Sequence, residues 1–172
     1  MHKVILLAGI SGAGKSTYAG KLFEHHRLTH SVHTALSADD FPGLYFDGEL
    51  VFDFLPKAHS WCVRSYINTL ADAERGHDSH LIVVHNTNTT VSELAPYVAI
   101  ARAFGVEPDC RVLRIDAYTA IERNIHNVPR STVFQQSQRL ADMMENWPSF
   151  FPPLTCVKVE PNFVFSKYAS LA

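Results

Sequence analysis

The sequence predicts an α/β fold in which a mainly parallel five-stranded sheet is flanked by helices. Three observations predict it. Short apolar runs, typical of strands covered on both faces, alternate along the chain with longer segments of helical periodicity. The first of these runs ends in glycines and leads straight into a helix. The length of 172 residues, with 47% hydrophobic and 19% charged residues, suits one domain with one core, so we expect residues 1–172 to form a single domain.

Five segments are predicted as strands because they are short, mainly apolar and followed by polar or glycine residues. They are residues Val4–Ala8, Thr34–Ser37, Leu81–Val84, Arg111–Ile115 and Cys156–Val159. Because strands alternate with helices, right-handed β-α-β units and a mainly parallel sheet are expected. Ligands bind at the carboxyl ends of the strands in such sheets, so the polar residues that follow a strand are the candidate site residues.

The segments between the strands are predicted as helices, with one irregular loop. The helical segments are Ser16–Arg27, Lys57–Arg75, Ser92–Gly105 and Thr119–Asn146, the last with a break at Val128 and Pro129. The segment Phe41–Pro56 carries prolines, glycines and several aromatic residues, which favours a loop.

Composition excludes several classes of protein. The net charge of −2 means that a nucleic-acid partner cannot be held by the overall charge, only by local basic patches. The longest apolar run near the start is far shorter than the about 20 residues that span a bilayer, and no secretory signal precedes it, so we expect a cytoplasmic protein without a membrane partner. The three cysteines form no CxxC pair, which favours reduced thiols.

The strongest motif follows the first predicted strand. Residues 9–16 read GISGAGKS and fit the pattern GxxxxGK[ST] between a strand and a helix, which predicts a phosphate-binding loop for a nucleoside triphosphate. Lys15 is expected to reach the β- and γ-phosphates and the Ser16 hydroxyl to bind Mg²⁺, with ATP as the nucleotide. The cofactor-binding residues predicted here are Gly9, Ser11, Gly12, Ala13, Gly14, Lys15, Ser16 and Thr17. The motif alone leaves a kinase, a hydrolase and a switch protein open.

Several separated segments together resemble one family. The segments GISGAGKST, SADDF, YFD, AHSWC, HNTNTT and RNIHNVP are similar to those of P-loop ATP-binding proteins of the polynucleotide 5′-hydroxyl kinase-like group. The resemblance covers Lys3 to about Trp147. It implies a nucleotide-kinase-like P-loop NTPase fold with an arginine-bearing lid at about residues 119–135. It also implies transfer of the ATP γ-phosphate to an alcohol, most of all the 5′-hydroxyl of a polynucleotide.

The resemblance also implies roles for individual residues. Asp39 takes the place of the acid that accepts the proton of the attacking hydroxyl, and Arg123 and Arg130 are the candidate lid arginines. The candidate substrate-binding residues are Asp40, His85, Asn86 and Asn88. Each has a structural alternative: an acid can cap a helical turn, a histidine at a strand end can simply bond its neighbours, and an arginine can lie on a solvated helix face.

Two departures from the family keep other functions open. His85 stands where relatives often carry aspartate, and Pro42 stands where the polynucleotide kinases carry an arginine that grips substrate phosphate. The second hypothesis is therefore a kinase whose acceptor is a nucleoside, a modified base or another small alcohol. The third is an ATP-binding module with little or no turnover.

Overall fold

The computed structural model of the protein describes residues 2–47, 49–125 and 127–159. Its strands are β1 (Lys3–Ala8), β2 (Val32–Leu36), β3 (Tyr45–Phe46), β4 (Glu49–Leu50), β5 (His80–Val84), β6 (Asp109–Arg114) and β7 (Leu154–Lys158). Its helices are α1 (Lys15–His26), α2 (Leu55–Arg75), α3 (Val91–Ala103), α4 (Ala117–Glu122) and α5 (Arg130–Glu145). Short 3₁₀ turns follow β2 at Ala38–Asp40 and precede α2 at Phe52–Phe54.

Five of these strands form one parallel sheet in the order β2-β5-β1-β6-β7. The registers place Val4 beside Ile82 of β5, and Leu6 beside Cys110 of β6. The central strand β1 is apolar and fully covered from Val4 to Ala8, as a strand with helices on both faces must be. The structure thus confirms the predicted five-stranded sheet flanked by helices, and it brings the ends of β1, β2 and β5 to one edge.

The structure shifts several predicted boundaries by one or two residues, among them the starts of β2, β6, β7 and α2. Strand β2 runs from Val32 to Leu36, so it starts and ends earlier than expected, and the predicted loop contains the β3–β4 hairpin. Helix α3 begins at Val91 because Thr90 caps it. The Thr90 side chain accepts from the Glu93 N–H at 3.3 Å, and Glu93 Oε2 accepts from the Thr90 N–H at 3.1 Å. Such a cap is worth about 1 kcal/mol, which is enough to set where a helix begins.

The predicted break near Val128 and Pro129 is confirmed, but it is wider than expected. Helix α4 ends at Glu122, and α5 begins at Arg130 directly after Pro129, whose fixed φ suits the start of a helix. Between them, the Asn124 amide donates to the Val128 carbonyl at 2.8 Å. His126, inside the predicted lid, lies outside the described residues.

Two further predictions concern the cysteines and membrane-spanning segments. Cys62 and Cys110 are buried free thiols and Cys156 is an exposed one. None of the helices in the described part of the chain is both long and apolar enough to cross a bilayer.

Candidate active site

The phosphate-binding motif forms a tight loop between β1 and α1. Gly12 and Gly14 both have φ +83°, a left-handed conformation that glycine adopts without cost. Gly12 also lies against α4, because a Cβ built on it would be 2.0 Å from the carbonyl oxygen of Ala120. At Gly14 nothing lies within 4 Å, so there the backbone conformation alone favours glycine. The loop therefore has the curled shape that the motif predicts.

Other parts of the fold hold this loop in place. The Gly9 N–H donates to the Thr87 carbonyl at 2.8 Å, and the Ser11 N–H donates to Gln136 Oε1 of α5, also at 2.8 Å. The Ala13 N–H closes a turn on the Ile10 carbonyl at 3.1 Å. A loop fixed in this way is preorganised to bind a ligand.

The first turn of α1 presents unused N–H groups at the mouth of the loop. Gly14 occupies the cap position, and no side chain in the described part of the chain caps this helix. The first N–H groups of a helix have no partner inside it and carry its positive dipole end. Lys15, Ser16 and Thr17 begin this helix, so their N–H groups form an anion-binding position of the kind that phosphates occupy.

The Lys15 side chain is folded back onto its own loop. Its Nζ donates to the carbonyls of Gly9 and Ile10 at 2.9 and 3.0 Å. Burial lowers the pKa of Lys15 to about 8, and the nearby charge of Asp39 opposes part of this shift. Asp39 is therefore close enough to Lys15 to interact with it electrostatically, as a site shared by both residues requires.

The adjacent acids after β2 have different surroundings. Asp40 Oδ2 accepts a hydrogen bond from the Ser37 N–H at 3.1 Å and completes the cap of the 3₁₀ turn. Asp40 therefore has the capping role that an acid at this position can have. Asp39 Oδ1 instead accepts from the Tyr45 hydroxyl at 3.1 Å, and both acids are exposed, so the two differ in their hydrogen-bond partners and not in exposure. Burial and the neighbouring Asp39 raise the pKa of Tyr45, which keeps that hydroxyl a donor. Asp39 is thus an oriented, accessible carboxylate.

His85 lies at the end of β5 between the loop and the acids. The imidazole Nδ1 of His85 is 3.5 Å from Ser16 Oγ, and the backbone N–H of His85 donates to the Leu36 carbonyl at 3.0 Å. Burial lowers the pKa of His85, while the charges of Asp40 and Asp39 act against that shift. The predicted site residues Lys15, Ser16, Asp39, Asp40 and His85 therefore meet at the carboxyl edge of the sheet.

Asn86 and Asn88 are buried, and their amides bond the protein itself. Asn86 Oδ1 accepts the Ala38 N–H at 2.7 Å, and its Nδ2 donates to the Tyr97 hydroxyl at 3.0 Å. Asn88 Nδ2 donates to the Leu7 carbonyl at 2.8 Å. We expected both to contact substrate, but these bonds support a structural role, in which Asn86 fixes the turn that carries Asp39 and Asn88 fixes the end of β1.

The two predicted lid arginines lie at opposite ends of the α4–α5 connection. Arg123 follows α4 directly, is half-buried and comes three residues after Ala120, which touches the loop. Arg130 is exposed at the first position of α5. The contact between α4 and the loop therefore favours Arg123 over Arg130.

Comparisons with known proteins identify the family of the chain. A family model described as an AAA domain matches residues 4–147. The chain belongs to the AAA domain family. No curated protein matches it.

Two solved structures are similar to this AAA domain in fold. One is deoxyadenosine kinase from M. mycoides with bound dATP, at 15% identity, with 91% of this chain and 90% of that chain covered and a TM-score of 0.57. Another is Kti12 from Chaetomium thermophilum in complex with ADP-AlF3, at 13% identity, with 90% and 88% covered and a TM-score of 0.58. These matches confirm the P-loop, kinase-like fold of the AAA domain.

The donors present in this AAA domain fit Mg²⁺ only in part. The exposed Ser16 hydroxyl can bind the ion directly, and the Asp39 carboxylate is on the same edge. No cluster of three or more His, Cys, Asp or Glu side chains that could hold a metal occurs in the part of the chain that the structure describes. This fits an ion held mainly by the phosphates of a bound nucleotide, as Mg²⁺ usually is.

Two residues of the site were missed by sequence reasoning. Tyr45 orients Asp39, and it was part of the YFD segment without receiving a role. Gln136 bonds the loop from the buried face of α5, where it lies between Val133 and Leu140 at helical spacing. A polar residue on an otherwise apolar helix face is a signal that could have identified Gln136.

Proposed function

We propose that this AAA domain is a kinase that transfers the γ-phosphate of ATP to a hydroxyl group, with Asp39 as the general base. The observation that supports this most directly is the Asp39 carboxylate. It is oriented by Tyr45 at 3.1 Å, exposed, and close enough to Lys15 to influence its pKa. Phosphoryl transfer needs mainly positioning and charge stabilisation, together with a carboxylate that receives the hydroxyl proton.

In the proposed reaction, the acceptor oxygen forms a bond to the γ-phosphorus while the bond to the ADP oxygen breaks, and the acceptor proton passes to Asp39. Lys15 leaves its two loop carbonyls and turns to the phosphates, where the N–H groups at the start of α1 also bind. The Ser16 hydroxyl would hold Mg²⁺, which would supply charge that neutralises the phosphates. Arg123, with Arg130 as the other candidate, stabilises charge on the transferred group from the lid.

A kinase is favoured over a hydrolase by where the carboxylates lie. In motor ATPases and small GTPases, a Walker-B acid ends the strand beside the P-loop strand. Here His85 follows β5, where the kinase-like relatives also often carry aspartate, so this position does not separate a kinase from a hydrolase. The accessible carboxylate of Asp39 instead follows β2, on the acceptor side of the site.

For the acceptor, we propose the 5′-hydroxyl of a polynucleotide, on the strength of the segments that resemble that group of kinases. A nucleoside or another small alcohol is the second candidate. It is favoured by the similarity in fold to a deoxyadenosine kinase and by Pro42 in place of the expected arginine.

The test is a transfer assay with γ-labelled ATP and two acceptor sets, 5′-hydroxyl oligonucleotides and mixed nucleosides. Asp39→Asn should lower kcat by about 10²–10⁴-fold, the usual contribution of general-base catalysis, and should leave ATP affinity nearly unchanged. Asp72→Asn is the matched control, because Asp72 lies in an exposed ion pair with Arg75 at the far end of α2.

If nucleosides are labelled and oligonucleotides are not, the acceptor is a nucleoside or another small alcohol and not a polynucleotide. Equally negligible transfer by the wild-type protein and Asp39→Asn, with ATP binding intact, would instead support a binding module without turnover.

A further inference from the structure

A cleft of about 360 Å³ lies beside the turn that carries Asp39. It is lined by Phe41, Pro56, Lys57, Ser60 and Arg64. Phe41 comes two residues after Asp39, and two residues span at most about 7 Å. The turn at Ala38–Asp40 also packs against α2, which supplies the other residues of the cleft. The cleft is therefore next to the acceptor side of the site.

Two cations line this cleft from one face of α2. Lys57, Ser60 and Arg64 are spaced three and four residues apart, so they lie on the same side of the helix. Both Lys57 and Arg64 are exposed, and neither forms an ion pair with any side chain that the structure describes. Their charges are thus available to an anionic ligand.

One aromatic ring, that of Phe41, lines the cleft, and two further rings pack behind it. The Phe41 ring packs edge-on against Trp61, with centroids 6.1 Å apart, and against Phe54 at 6.5 Å. Lys57 Nζ lies 5.0 Å from the centre of the Phe54 ring, which holds it at the rim. A fixed aromatic wall with two cations suits an organic phosphate better than a free inorganic ion, because the wall adds apolar contact.

We propose that this cleft binds a phosphate group of the acceptor, so that the preferred acceptor carries a phosphate besides the hydroxyl that receives the γ-phosphate. The inference rests on the proposed function and deepens it. Arg64 matches phosphate with two parallel N–H bonds, and Lys57 adds a point charge. The Ser60 hydroxyl proton is already donated to the Pro56 carbonyl at 2.8 Å, so binding depends on the two cations.

This arrangement addresses the missing arginine. Pro42 removes a cation that the polynucleotide kinases place two positions after the acid pair. Lys57 and Arg64 return positive charge to the same side of the site from a different element. The phosphate could come from a mononucleotide or from the phosphodiester of a nucleic acid, and the acceptors used in the test separate these sources.

The experiment compares three acceptors that share one nucleoside: the nucleoside itself, its 3′-monophosphate and a 5′-hydroxyl oligonucleotide. The wild-type protein should use the phosphorylated acceptors with higher kcat/KM than the nucleoside. Lys57→Ala combined with Arg64→Ala should lower kcat/KM for them about tenfold or more, through KM, since each charge-assisted contact has that effect. The kcat/KM for the nucleoside should be unchanged in the double variant.

Arg27→Ala is the matched control, because Arg27 is an exposed cation at the end of α1 on the far side of the sheet. Arg27→Ala should leave kcat/KM unchanged for all three acceptors. A preference for the oligonucleotide over the 3′-monophosphate would identify a nucleic acid as the source of the phosphate. Equal losses for all three acceptors, or no loss for any, would overturn the proposal.

A binding measurement separates failure of this inference from failure of the proposed function. Fluorescence anisotropy of labelled 3′-monophosphate and oligonucleotide is recorded with ADP present, which requires no turnover. Binding that the double variant weakens about tenfold would support the cleft even if no transfer occurs. No binding, or binding that the double variant leaves unchanged, would refute it whatever the kinase assay shows.

Discussion

Replacing Gly12 by alanine should destabilise the protein more than the same change at Gly14, although both have φ +83°. This left-handed conformation costs any residue with a Cβ about 1–2 kcal/mol. At Gly14 nothing lies within 4 Å of the added Cβ, so strain is the whole cost. At Gly12 the added Cβ would lie 2.0 Å from the Ala120 carbonyl oxygen, a backbone atom that cannot rotate away.

The magnitude follows from that contact. Ordinary van der Waals contact with a Cβ begins at 3.4 Å, so the loop and α4 have to move apart by more than an ångström. Overpacking of this kind typically costs about 1–3 kcal/mol. We therefore expect the free energy of unfolding to fall by about 1–2 kcal/mol in Gly14→Ala and by about 2–5 kcal/mol in Gly12→Ala. Each kcal/mol corresponds to roughly 2–4 °C in Tm for a chain of this length.

The assay is urea unfolding without nucleotide, followed by far-UV circular dichroism and by tryptophan fluorescence. The absence of nucleotide matters because Gly14 also lies at the phosphate position, and ligand binding would mix two effects. Equal losses in the two variants, or a larger loss in Gly14→Ala, would show that α4 does not contact the loop and would remove the reason to prefer Arg123 as the lid arginine.

Three further predictions test the site. Burial lowers the pKa of Lys15 to about 8, and only the ammonium form of Lys15 attracts phosphate. ATP affinity should therefore be constant below pH 8 and then fall by up to about tenfold per pH unit. The affinity of Lys15→Met for ATP, measured over the same pH range, should show no such fall. Gln136→Leu leaves the partly buried Ser11 N–H without its acceptor, so the free energy of unfolding should fall by about 0.5–1.5 kcal/mol and ATP should bind more weakly. Gln138→Leu, on the exposed face of the same helix, is the control, and similar losses in both would argue against a role for Gln136. His85→Asp places a carboxylate near the Ser16 hydroxyl, so less Mg²⁺ should be needed for half-maximal ATP binding than in His85→Asn, and equal Mg²⁺ dependence in the two would place position 85 outside the metal shell.

The main sheet could be predicted because each strand has a local signature. Strand β1 is a continuous apolar run, and burial on both faces follows from that run alone. The β3–β4 hairpin left no such signature, because each of its strands has only two residues and too few positions to show alternation. The early end of α4 at Glu122 was equally hidden, since the residues after it keep helical periodicity.

The two acids show the limit of prediction within the site. Asp39 and Asp40 are adjacent and of one type; the capping-box spacing from Ser37 to Asp40 favours Asp40 as the cap, but no pattern in the sequence pairs Asp39 with Tyr45. Two hydrogen bonds separate the roles of the two acids. The Ser37 N–H donates to the Asp40 carboxylate three residues later, and the Tyr45 hydroxyl donates to the Asp39 carboxylate. The hydrogen bonds of Asn86 and Asn88 could not be predicted either, because their partners Ala38 and Leu7 are distant in sequence.

The contacts around the phosphate loop explain why Lys15 is the part of it that has to move. The loop backbone is fixed by Thr87 and Gln136, and α4 closes it off at Gly12. The Lys15 Nζ, in contrast, donates to two loop carbonyls and is attracted by the charge of Asp39, and both hydrogen bonds can be exchanged for phosphate oxygens without altering the backbone. Phosphate also restores the charge that burial disfavours on Lys15, because a neighbouring anion stabilises the ammonium form. Nucleotide binding therefore requires one side-chain rearrangement within a rigid loop, and preorganised donors of this kind lose little free energy to reorganisation when charge develops on the transferring phosphate.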